Sequence, residues 1–102
     1  MKNEKRYQFG NRPDAIKPTP RSSEHGTVTE EEGVFERGSD KNYWKVIQRI
    51  KDGDSTITRR GYYVGKGNDW TWAQDALLLE TDIDNQLTAR ATTAGILTES
   101  SH

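Results

Sequence analysis

From Asn42 the chain alternates. Tyr43, Lys45, Ile47, Arg49 and Lys51 interleave with Trp44, Val46, Gln48 and Ile50, the period-two pattern of a half-buried strand. Asp52-Gly53 follows, and Asp-Gly between alternating segments signals a β-hairpin whose return strand is Asp54–Lys66. A two-residue loop there pairs Lys51 with Asp54, Arg49 with Thr56, Ile47 with Thr58, Lys45 with Arg60 and Tyr43 with Tyr62. One face then holds Trp44, Val46, Gln48, Ile50 and Ile57 and is mostly apolar, with Arg59 and Gly61 across from Val46 and Trp44. The other is basic, aromatic and hydroxylic. Gly33–Arg37 supplies a short third strand, since a lone hairpin is marginal in water.

After the hairpin the period changes. Trp72, Ala76, Leu79, Ile83, Leu87, Ala91 and Ala94 recur at intervals of three and four, an apolar stripe along a helix. Gly65-Lys66-Gly67-Asn68-Asp69 is a turn that delivers its N-cap, either Asp69 itself or Thr71 with Gln74 as a capping box, and Gly95 stops it. A break near Thr81-Asp82 would give two shorter helices, and Thr88, Thr92 and Thr93 leave a strand open as the alternative over 82–97. Residues 1–32 lack periodicity and hold all three prolines, Pro13, Pro18 and Pro20, with the acid run Glu30-Glu31-Glu32. They read as an extended or disordered arm. The expected fold is α+β: a small three-stranded antiparallel sheet (β-β-β-α) with a C-terminal helix over 33–97, preceded by the arm and followed by a disordered tail, 98–102. Its expected core is Trp44, Val46, Ile50, Ile57, Trp72, Ala76, Leu79, Ile83 and Leu87.

Composition limits the size of that core. The 102 residues have a mean hydropathy of −1.03 and 30% are charged, so only part of the chain can close around apolar side chains. Net charge is −1, yet residues 1–40 carry −1, residues 41–66 carry +5 and residues 67–102 carry −5. A basic middle is followed by an acidic end.

Several chemistries are excluded or unsupported. Without cysteine there are no disulfides, thiolate metal sites or Cys nucleophiles. The stretch Gly61 to Gly67 departs from a phosphate-binding loop in spacing and lacks Ser or Thr after Lys66. Asp82-Ile83-Asp84 echoes a calcium loop, but Leu87 stands where glycine is needed and Thr93 where an acid is needed; Asp52 and Asp54 fail likewise. The two histidines, His25 and His102, lie outside the expected core, so no oriented nucleophile–base pair is in view. A non-enzyme is expected, with no catalytic residue, metal or cofactor. The polar N-terminus and the short apolar run Ala76–Leu79 predict neither a secretory signal nor a membrane span, and so a cytoplasmic protein, in the host cytoplasm or virion if viral.

The basic hairpin face carries the leading functional expectation. Lys45, Arg49, Lys51 and Arg60 would contact phosphate and Tyr43 and Tyr62 would stack, making a nucleic-acid-binding module. The alternative is an assembly or interaction protein, such as a virion subunit, an accessory subunit or a small viral inhibitor. It would dock on a protein partner through the arm or the acidic helix residues Asp75, Glu80, Asp82 and Asp84. Self-association as a homo-oligomer would suit so small a unit.

Overall fold

The computed structural model describes residues 6–10, 12–16, 26–73 and 75–97. The tail 98–102, both histidines, Pro18, Pro20 and Gln74 lie outside the described residues. Among the described residues, five antiparallel strands form a meander in chain order: β1 (Tyr7–Gly10), β2 (Thr27–Arg37), β3 (Asn42–Asp52), β4 (Ser55–Lys66) and β5 (Asp69–Ala73). A helix, α1 (Thr81–Thr93), follows β5. The layout is α+β, but the sheet has five strands where three were expected.

Each added strand has a physical cause. Tyr7-Gln8-Phe9-Gly10 alternates and pairs with β2, placing Tyr7 and Phe9 in the apolar layer beneath the helix. β2 likewise starts at Thr27, within the stretch read as arm, and carries a bulge between Val28 and Glu30. At the other edge, Gly67 has φ +58 and opens a two-residue loop closed by Lys66 and Asp69. The turn expected to cap a helix is therefore a second hairpin. Trp70 and Trp72 point to one face of the new strand, where Trp72 lies over Gly61 and meets Tyr63 edge-on at 5.0 Å between centroids. A strand is favoured because it delivers two indoles to one apolar surface.

The central hairpin forms with its loop moved one residue along the chain. Gly53, at φ +62, occupies the first loop position, as a type II′ turn requires, and Asp52 pairs with Ser55. The register thus slides by two relative to expectation: Lys51 faces Thr56, Arg49 faces Thr58, Ile47 faces Arg60 and Lys45 faces Tyr62. A slip of two leaves every side chain on its expected face.

Both faces of the sheet are covered. On one, Trp44, Val46 and Tyr63 are buried with Ile16, and Phe35, Trp70 and Trp72 pack around them. On the other, Val34 and Ile47 are sealed by Tyr7 and by Ile83, Leu87, Ala91 and Ile96. The expected single core is corrected accordingly. Ile83 and Leu87 are buried, but against Ile47, on the face opposite Trp44 and Val46. Ala76 is exposed and precedes the helix, which starts at Thr81, the position of the alternative break, and not near Asp69 or Thr71. The helix chooses the Ile47 face because Tyr7, Phe9 and Val34 widen it into an apolar patch. The Trp44 face is occupied by Ile16 and the indoles.

Candidate functional site

Beneath the Trp44 face lies a polar network centred on Glu31. Arg12 donates to both of its carboxylate oxygens, from Nε at 3.0 Å and from a terminal nitrogen at 2.7 Å. Trp44 Nε1 donates to it at 3.1 Å, and Gln48 Nε2 at 2.8 Å. Gln48 is fully buried and accepts from Arg59 Nε at 2.9 Å, while the Arg59 guanidinium stacks on the Trp72 ring at 3.7 Å. Burial of Arg59 lowers its pKa. Every member has a partner, so the network fixes the packing of strands. Sequence reasoning missed it. Glu31 stood in an acid run and gave no sign that its strand would turn it beneath an indole.

The basic face is built differently from its sequence expectation. Lys45 forms an ion pair with Glu36, which also holds Arg6 at 2.9 Å, and donates to the Leu78 carbonyl at 2.9 Å. Arg49 pairs with Glu30 at 2.9 Å and donates to the Gly95 carbonyl beyond the helix. Tyr43 and Tyr62 meet edge-on, 5.8 Å between centroids, and the Tyr62 hydroxyl donates to Asp75 at 3.3 Å. The Tyr62 pKa is raised by burial and, secondarily, by Asp75. Tyr43, Lys45 and Tyr62 do come together, lining a cleft of about 390 Å³ with Arg6 and Glu36. An anion there would have to displace Glu36 from both cations. Lys51 and Arg60 are exposed and have no polar partner among the described residues.

The most open feature is a strand edge. β4 runs from Ser55 to Lys66, but β5 pairs only with Tyr62–Lys66. Ser55–Gly61 therefore has no strand neighbour on its outer side among the described residues. The two turns say which backbone groups are exposed. In a two-residue hairpin the closing residues form a hydrogen-bonded pair, and such pairs recur every second residue. From the closing pair Asp52–Ser55, residues Ser55, Ile57, Arg59 and Gly61 direct N–H and C=O at β3. Thr56, Thr58 and Arg60 direct theirs outward. The second turn, closed by Lys66 and Asp69, sets the same parity independently, since it requires Tyr62, Val64 and Lys66 to face β5.

A second overhang lies on β2, where β1 pairs with Gly33–Glu36 and Thr27–Glu32 has no outer strand neighbour among the described residues. Its bulge at Val28/Glu30 breaks the regular ladder there. Among the described residues no His, Asp or Glu side chains converge as a metal site, and no helix is long and apolar enough to cross a membrane. No family model matches the chain, and no curated protein or solved structure is significantly similar to it.

Proposed function

We propose that this protein is a non-enzymatic interaction module that binds an extended segment of a protein partner as an added strand on the outer edge of β4. The observation that carries the reading is the run Ser55–Gly61, a regular strand with one edge unpaired among the described residues. Unpaired edge groups template the addition of another strand, with main-chain bonds giving affinity and alternate side chains giving specificity. Thr56, Thr58 and Arg60 present those groups. Their side chains share a face with Lys51, which sits opposite Thr56. A partner segment with a carboxylate on that face is favoured.

This takes up the interaction-protein reading by a different route from the arm or the acidic helix. Part of the arm is built into the sheet as β1 and the start of β2. Nucleic acid is the weaker reading on this geometry, because Lys45 and Arg49 are held by carboxylates and Tyr43 and Tyr62 by each other. Phosphate contacts would fall to Lys51 and Arg60.

Selection of peptides from a random display library against the immobilised full chain tests the proposal. The expected winners are extended and acid-bearing, and on binding they slow exchange of the Thr56, Thr58 and Arg60 amides. Thr58→Pro removes an outward N–H without touching the β3 ladder, and should weaken those peptides by about tenfold or more. Winners that protect other amides, or that bind the proline variant as tightly, overturn the reading.

A further inference from the structure

The notch beside β4 has a shape and charge pattern that a second copy of the chain can fill. We infer that two copies pair through their β4 edges, antiparallel about a twofold axis at Ile57, joining two five-stranded sheets into one of ten strands. The inference rests on the strand-adding reading of β4 and names the partner.

Three observations select this pairing and its register. The first is length. β4 overhangs β5 from Ser55 to Gly61, and β5 begins opposite Tyr62, with Ala73 as its last residue. With Ile57 opposite Ile57 of the other copy, the turn residue Asp54 reaches the level of Arg60, inside the notch. A register one residue further, centred on Thr58, would drive Asp54 to the position opposite Tyr62 that Ala73 holds. Registers centred earlier leave part of the notch empty.

The second is backbone parity. Thr58 lies opposite Thr56 of the other copy in this register, and both direct their N–H and C=O outward. They form hydrogen-bonded pairs on each side of the axis, as an antiparallel ladder demands.

The third is charge. The same register brings Arg60 of each copy beside the turn residue Asp54 of the other, and sets Arg59 opposite Ser55 and Ile57 opposite itself. Opposite charges so placed attract where like charges would repel. Arg60 and Asp54 are exposed and make no ion pair among the described residues. Ile57 is half-buried beside the fully buried Ile50, so the new pair extends an existing apolar strip. The symmetry is closed, so the pairing stops at two copies.

Sedimentation velocity of the full chain over a wide concentration range is the test, with the charge pair as the register probe. The wild type is expected to pass from monomer to dimer as concentration rises. Asp54→Arg alone and Arg60→Asp alone each put like charges across the axis twice and should weaken the dimer about tenfold or more. The double variant Asp54→Arg/Arg60→Asp should restore it, which simple loss of folding could not mimic. Thr58→Pro should leave a folded monomer by circular dichroism.

A wild type that stays monomeric throughout overturns the inference, as does a dimer indifferent to Thr58→Pro or a double variant no tighter than the singles. A monomeric wild type that still takes display-selected peptides on Thr56, Thr58 and Arg60 refutes the second copy alone. Failure of those peptides as well refutes the strand-adding reading beneath it.

Discussion

At the scale of residues, the side chain with the most structural consequence is Glu31. Its carboxylate accepts from Arg12, Trp44 and Gln48, and its side chain is only 12% exposed. Deleting it leaves a guanidinium, an indole N–H and an amide beneath the sheet without their acceptor. Breaking a buried, hydrogen-bonded charge pair by removing one partner costs roughly 3 kcal/mol or more. Glu31→Ala should therefore lower unfolding free energy by about that amount in urea titration, whereas Glu30→Ala, whose carboxylate is 45% exposed, should cost under about 1 kcal/mol. Equal effects of the two would mean the network is not what holds the Trp44 face. Nothing in the string Glu30-Glu31-Glu32 separates these neighbours. Strand alternation does, and the bulge at Val28/Glu30 sets its phase.

At the scale of elements, the alternation of Asn42–Lys51 was legible and so were the two faces it makes. The loop position was not, because Asp-Gly suggests a turn at Asp52-Gly53 while a type II′ geometry wants glycine first, which selects Gly53-Asp54. β5 was hidden by competing signals. Asp69 and Thr71 resemble helix caps and Trp72 fits a helical stripe, but Gly67 and the indole surface over Gly61 favour a hairpin. Ile83, Leu87 and Ala91 were readable as a buried helical stripe. The face they cover was not, since it depends on Tyr7 and Phe9 arriving from a strand too short to announce itself.

That packing yields a prediction. Leu87 is fully buried against the Ile47 face, so Leu87→Ala should cost about 2–5 kcal/mol by chemical denaturation. The indole fluorescence of the still-folded variant should hardly move, because Trp44, Trp70 and Trp72 all lie on the opposite face. A large change in emission before unfolding would contradict helix docking on the Ile47 side.

At the scale of the whole molecule, two apolar layers on opposite faces of one sheet leave its edges as the open backbone. Part of the uneven charge along the chain is absorbed within the fold: Glu30, Glu32 and Glu36 hold Arg49, Arg90, Lys45 and Arg6. Among the described residues, Lys51, Asp52, Asp54, Arg60 and Lys66 of the β3–β4 hairpin make no ion pair, and the first four lie beside the uncovered run of β4. The most direct measurement of that edge is residue-resolved amide hydrogen exchange on dilute protein. Alternating behaviour is expected along β4, with Thr56, Thr58 and Arg60 exchanging at least about tenfold faster than Ile57, Arg59 and Gly61, whose N–H groups bond to β3. Uniform protection from Ser55 to Gly61 at every dilution would show the edge already covered within a single chain, and would contradict the account.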